Sequence, residues 1–244
     1  MGQIRAVHIN KNVVERPQKP WTHTVHALLN HLHGAGLPVP EPLDFGDGVE
    51  RVTLVPGEAG SDAWAHQLRV ESVRSAGRLL RRVHDATVGW EPPTDANWAV
   101  PFSPGGVVCH GDPQPANFAW RDGIAVGLFD WDVARPANRL SDVAYALEWF
   151  APFEDDLTEL RFRGFDETLD RRARIAAFLG GYGWEGPIDV VAAVTVRQQT
   201  AIDEVVYLGE RGHHPQAEWV AAGWPDRWGP KLATARRVGE KLGL

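Results

Sequence analysis

Apolar positions recur along this chain with two periods, and the changes of period mark its elements. Residues 4–9 and 12–16 read as short strands joined at Asn10-Lys11. Pro17 and Pro20 then break the chain. Val25, Leu28, Leu29 and Leu32 fall at i, i+3, i+4 and i+7, the face of a helix for which Thr22 or Thr24 is the expected cap. Gly34, Gly36, Pro38 and Pro40 end it. Residues 41–45 and 50–55 read as strands about the turn Gly46-Asp47-Gly48. A long helix is expected over residues 63–84, started by Ser61 or Asp62, with Trp64, Leu68, Val73, Ala76, Leu79, Leu80 and Val83 on its apolar face. Residues 97–106 are a Pro- and Gly-rich loop, and Val107-Val108-Cys109 is a short buried strand. Strands 118–121 and 125–129 flank Asp122-Gly123, a strong hairpin signal. Beyond Leu140 the pattern is helical over 140–150, 166–180, 188–208, 216–222 and 230–242. The chain therefore reads as α+β, with a small sheet-plus-helix domain over 1–56 and a mostly helical domain over 57–244, joined by a hinge at 56–61.

Composition narrows the function more than the fold. With 244 residues, 43% of them hydrophobic, and 11 Trp, the chain can bury a sizeable core. Net charge is −7 and no block of Lys or Arg occurs, which argues against a nucleic-acid partner. Cys109 is the single cysteine, so no internal disulfide is possible and a reducing compartment is suited. The first residues lack an apolar signal core and no run of 18 apolar residues exists, so the expectation is a cytoplasmic protein without a membrane partner.

The chemistry concentrates in residues 107–142. Asp112 and Asn117 lie five apart on a Pro-containing loop after a buried strand, and Asp130 follows thirteen residues later, at the end of a second strand. An Asp, an Asn five residues on and a later Asp are the groups a kinase uses for phosphoryl transfer. Such transfer needs positioning and charge neutralisation more than covalent chemistry. A carboxylate beside the incoming hydroxyl orients it and accepts its proton, the role expected of Asp112. Mg²⁺ prefers oxygen, which Asn117 and Asp130 supply. Gly111 permits a tight turn, and His110 is expected to brace the loop by hydrogen bonding or by packing on the Asp130 strand. Taken singly, Asp112 and Asn117 are ordinary turn residues; Asp130 in register makes them a candidate site.

The run His110-Gly-Asp-Pro-Gln-Pro-Ala-Asn117, with Leu128-Phe-Asp-Trp-Asp132 and Asp142-Val-Ala, resembles the signature of the aminoglycoside phosphotransferase and choline kinase-like superfamily. Arg82-Val-His84-Asp85 and Val55-Pro-Gly57-Glu58 add to the likeness, which spans residues 13–146. It implies a bilobal protein kinase-like fold with a shortened N-terminal β lobe. It also implies Mg²⁺-dependent transfer of the γ-phosphoryl of ATP or GTP to a hydroxyl of a small molecule. By that likeness Asp112 and His110 are the catalytic pair, Asn117 and Asp130 hold the metal, Arg16 contacts phosphate, and the backbone of Thr53 to Val55 meets the purine. The chain departs from the family in three ways. No Gly-rich loop precedes Val13, Arg16 stands where a Lys is usual, and the helical turn Thr24-Val25-His26-Ala27 lacks the Glu that would orient that base. These departures support a second reading, a pseudokinase-like binding or regulatory protein that keeps the fold without turnover.

Other residues have plainer readings. Asp132 is expected to be a structurally partnered acid, Asp142 to brace the catalytic loop, His84 to pack at a helix end, and Cys109 to act as a small hydrophobe. His213-His214 lacks metal-ligand spacing. Trp149, Trp184, Trp219 and Trp224 are core or cleft aromatics. Glu148, Glu154, Asp155, Asp156, Asp203 and Glu204 are solvated acids or contacts for a substrate amino group.

Overall fold

The computed structural model describes residues 7–166 and 169–244. The N-terminal part is a four-stranded antiparallel sheet of β1 (His8–Asn10), β2 (Val13–Pro17), β3 (Pro42–Gly46) and β4 (Val49–Thr53), in the order β1-β2-β4-β3. Of the strand expected over 4–9, residues 4–6 lie outside the described residues. Helix α1 (Thr22–Gly34) connects β2 to β3. It buries Val25, Leu28, Leu29 and Leu32, the stripe its period predicts, and each such side chain contributes roughly 1.5–3 kcal/mol. Neither expected cap forms. Thr22 Oγ1 accepts from Lys19 N, and Thr24 Oγ1 accepts from the Asn97 amide 73 residues away, tying α1 to the loop before β5.

The long helix expected over 63–84 is broken into α2 (Ala63–His66) and α3 (Val70–Ala86). The break is held by Arg174, a buried residue from α6 (Arg171–Tyr182). Its guanidinium donates to the carbonyls of Gln67 and Leu68, and to Phe150 O at the end of α4 (Arg139–Phe150). These long-range bonds satisfy carbonyls that a continuous helix would satisfy internally, and Leu68 is turned outward. Periodicity cannot register such a distant partner. Segment 56–61, expected as a hinge, is pinned at Glu58, which exchanges both backbone hydrogen bonds with Trp120 at 2.8 Å.

After α3 come β5 (Val107–Cys109), the hairpin β6 (Phe118–Arg121) and β7 (Ile124–Leu128), and then β8 (Arg135–Ala137), which pairs antiparallel with β5. Strand β8 carries a proline and no alternation, so nothing local announces it. The helices that follow α4 are α5 (Leu157–Phe162), α6, α7 (Val190–Glu210), α8 (Gln216–Ala221) and α9 (Trp224–Leu242). Two of these differ from expectation. Helix α6 starts at Arg171 rather than 166, with α5 formed ahead of it. Helix α9 starts six residues upstream of Pro230, because Pro225 occupies its first turn, where a missing N–H carries no penalty. One continuous core runs through α1, α3, α4, α6 and α7 beneath the β5–β8 ribbons, with Trp120, Trp131, Phe118 and Phe150 buried at its centre.

Candidate active site

Every group of the 107–142 motif is set by the backbone around it. Strand β5 ends at Cys109, and the chain turns sharply at Gly111 with φ +89°. A Cβ there would lie 2.3 Å from Val133 O, so glycine is required. Asp142, wholly buried at the start of α4, accepts the N–H of His110 at 2.6 Å and of Gly111 at 2.9 Å, and its Oδ2 meets His84 Nε2 at 3.1 Å. Burial alone would raise the Asp142 carboxyl. The hydrogen bonds from His84 and Gly111 reverse this and hold it at about 2. His84 is fixed in turn by Tyr182 OH, 2.7 Å from Nδ1. Asp142 thus braces the loop as expected, while His84, expected only to pack at a helix end, is bonded on both ring nitrogens.

His110 is also fully buried, against Trp131 with ring centroids 4.7 Å apart. Asp112 N donates to its Nδ1 and its Nε2 bonds Phe129 O at 2.8 Å, so Nδ1 acts as acceptor and Nε2 as donor. The imidazole therefore joins the Asp112 loop to the strand leading into Asp130. Expected as a partner of Asp112, it is wholly buried and does not line the cavity beside Asp112.

Asp112 Oδ2 accepts from Gln114 Nε2 at 3.0 Å and Asn117 Nδ2 at 2.9 Å, while Oδ1 has no hydrogen-bond partner. Burial raises its carboxyl above the ordinary range, against the opposing pull of the Tyr145 hydroxyl and the Gln114 amide. Because Asn117 Nδ2 is directed at Asp112, the remaining acceptor of that amide is Oδ1. Asp130, with φ +65°, leaves β7 in the left-handed region, which Asp tolerates better than most residues.

Arg16 on β2 closes this group from the sheet side. Its Nη1 is 3.3 Å from Asp130 Oδ1 and 3.0 Å from Asp132 Oδ1, and its Nε pairs with the buried Glu50. The partner absent from α1 is therefore supplied by β4. Glu50 also meets His26 Nε2, at 3.5 Å, from the very turn of α1 where a Glu was sought. Burial would raise Glu50, but His26 and Arg16 bring it below its usual range. Its signal lay in the strand alternation, which puts Glu50 on the same buried face as Val52. Asp132 is the structurally partnered acid expected, and its partner is Arg16, which it shares with Asp130. Its place two residues after Asp130 was the available sign.

A cavity of about 540 Å³ is lined by Asp112, Asp130 and Asp132 and extends between α4, α7, α8 and α9. Tyr145, Glu148 and Trp149 of α4 and Arg197 of α7 form its walls, none of which a motif had marked. Arg197 Nη2 donates to Gly111 O at 2.7 Å and to Glu204 Oε2 at 3.1 Å, connecting α7 to the Gly111 turn. Among the tryptophans, Trp149 and Trp219 line the cavity, whereas Trp184 packs on Tyr182 and Trp224 stacks on Trp228. Of the acids, Glu148 and Glu204 line it, while Glu154 bonds the N–H groups of Asp155 and Asp156. Thr53 and Val55 do not join this group. They line a separate hollow of about 280 Å³ beside His33 and Arg121, and the Thr53 and Leu54 N–H groups already donate to Glu41 O and Asn12 O. No helix among the described residues is long and apolar enough to cross a membrane.

The model of a phosphotransferase enzyme family matches residues 13–103 and 93–178. The trifolitoxin immunity protein of Rhizobium leguminosarum biovar trifolii is 32% identical over 182 residues, covering 70% of this chain and 67% of that one. A choline/ethanolamine kinase family protein from Mesorhizobium loti shares the fold at a TM-score of 0.58 and 16% identity, covering 98% of this chain and 86% of that chain. A macrolide 2'-phosphotransferase from Brachybacterium faecium does so at 0.54 and 15%, covering 90% and 84%. An aminoglycoside phosphotransferase from Streptomyces rimosus, in complex with ADP and streptomycin, gives 0.51 and 18%, covering 75% and 84%. With the kinase-like α+β fold and a family match across most of its length, this chain belongs to the phosphotransferase enzyme family that includes the aminoglycoside phosphotransferases and choline kinase-like proteins.

Proposed function

We propose that this protein transfers the γ-phosphoryl group of ATP or GTP to a hydroxyl of a small molecule held in the 540 Å³ cavity, with Mg²⁺. The observation that carries the reading is the state of Asp112. One carboxylate oxygen is pinned by Gln114 and Asn117, and the other, Oδ1, is without a partner in a residue that lines the cavity.

The donor set fits a hard divalent cation. Asn117 Oδ1 and the carboxylates of Asp130 and Asp132 are all oxygen ligands, and the two acids already gather around the positive charge of Arg16. When bound, the metal neutralises charge on the donor's phosphates. The protein's own groups do the rest. Asp112 Oδ1 orients the acceptor hydroxyl and takes its proton as the oxygen attacks phosphorus, and the nucleoside diphosphate leaves. A carboxyl raised by burial is better matched to accept that proton near neutral pH. Gln114 and Asn117 fix the carboxylate's rotamer. Arg16 offers its guanidinium to phosphate, oriented by Glu50. His110, Asp142 and His84 keep the loop from drifting. The hinge backbone from Thr53 to Val55 offers carbonyls to the purine, since two of its N–H groups are already engaged.

The test is an assay coupled to nucleoside diphosphate release across hydroxylated small molecules, including antibiotics and the toxin for which the immunity-protein relative is named. Asp112→Ala is expected to lower kcat by about 10²–10⁴-fold while the Mg²⁺-dependent thermal shift with ATP persists. Comparable turnover in the variant refutes the assigned base. One observation favours a binding protein without turnover. Arg16 is engaged by three carboxylates, and the β1–β2 connection is a tight hairpin at Lys11, without glycine. No thermal shift at millimolar nucleotide supports that second reading.

A further inference from the structure

Taking the cavity as the acceptor site of the transfer proposed above, we propose that its acceptor is an anionic hydroxyl compound with an aromatic or apolar body, and not a polycationic amino sugar or an amino alcohol.

Recognition of an ammonium group rests on free carboxylates or on open aromatic faces. Apart from Asp112 Oδ1, which the proposed transfer gives to the acceptor hydroxyl, the cavity's carboxylates are engaged, and so are the two rings nearest them. Asp130 and Asp132 are engaged by Arg16, and Glu204 by Arg135 and Arg197. Glu148 accepts from Gln198 Nε2 at 3.0 Å and stands in the field of Arg163, Arg197 and Lys231. The two rings nearest these groups already carry the protein's own cations. The Arg163 guanidinium lies 4.5 Å over Trp149, and that of Arg197 lies 4.6 Å over Tyr145. At those two rings an entering ammonium would meet a guanidinium where it needs a π face.

The unpartnered groups point the same way. Arg197 Nε, Arg197 Nη1 and Trp149 Nε1 are buried donors without hydrogen-bond partners, in residues that line the cavity. Such donors are costly to leave unmade and are satisfied by ligand oxygens. Against them Gln198 Oε1 is an unmet acceptor in that wall. Ala201, Ile202, Val205 and Leu208 present an apolar face of α7 to the same space, which suits a body with few polar atoms. The cavity therefore pairs an apolar wall with a cationic, donor-rich one, and the anion is assigned to Arg163 and Lys231, with the hydroxyl at Asp112.

Three probes isolate charge: 4-(hydroxymethyl)benzoate, the corresponding benzamide, and 4-(hydroxymethyl)benzylamine. They share ring and hydroxyl and differ in one substituent. Affinity for the intact protein is read by calorimetry, and turnover by the coupled assay. The benzoate is expected to bind at least ten-fold more tightly than the benzylamine. The double variant Arg163→Glu/Lys231→Glu is expected to cut that ratio at least ten-fold. Equal affinities, tighter binding of the amine, no binding of any probe, or an unchanged ratio in the variant would each overturn the proposal. Tight benzoate binding without nucleoside diphosphate release would instead count against phosphoryl transfer and leave the charge preference standing.

Discussion

Asp142→Asn separates what holds the catalytic loop from what performs the chemistry. The native carboxylate is fully buried and accepts two backbone N–H groups besides facing His84. Lowering a carboxyl from 3.8 to about 2 corresponds to roughly 2–3 kcal/mol in favour of the charged form. Asparagine removes that charge. It also turns an NH₂ toward one of the donors at His110, Gly111 or His84, leaving a buried group unsatisfied at a further cost of about 1–3 kcal/mol. The expected loss is about 3–5 kcal/mol, read from urea unfolding followed by tryptophan fluorescence. The sign with pH follows from the depressed value. This stabilisation is present in full above the ordinary carboxyl range and is lost as pH falls toward 2. Wild type should therefore lose stability on acidification more steeply than the variant. A loss below about 1 kcal/mol, the lower bound for one unmet buried donor, or parallel acid slopes for the two proteins, would refute this account of the loop.

Two further outcomes follow from single contacts. The raised Asp112 carboxyl predicts an acid limb in kcat/KM above the ordinary Asp range, with activity lost as pH falls through it. Tyr145→Phe, which removes a hydroxyl that holds the value down, should move that limb to higher pH, and an unmoved or lowered limb would contradict the arrangement. Arg174→Leu strips donors from the carbonyls of Gln67, Leu68 and Phe150. It should lower stability by about 3 kcal/mol or more, and a melting temperature within error of wild type would show that the α2–α3 break has another cause.

Much of the fold was legible because its determinants are local. The α1 stripe, the Gly46-Asp47-Gly48 and Asp122-Gly123 turns, and the β6–β7 hairpin follow from period and turn chemistry alone. What escaped was set at a distance. The break before α3 depends on Arg174, more than a hundred residues further along the chain, and β8 exists because β5 offers it a partner. Thr24 does not cap α1 for the same reason, since it bonds a loop residue in place of its own helix.

By itself, the amino-acid sequence determined one constellation of oxygen-bearing side chains. Asp112, Asn117 and Asp130 are spaced by a loop and a hairpin whose geometry is local, so their convergence needed no distant partner. Only the tertiary structure decided how that constellation is held and what stands opposite it. It brought Glu50 from a strand to Arg16 in place of an acid on α1, joined Asp132 to that pair, and assembled the cavity wall from α4, α7 and the residues after α5. Charges that meet across such separations leave no period in sequence. Their pairing is set by packing, which fixes which carboxylates are already engaged and which cations remain to meet a substrate.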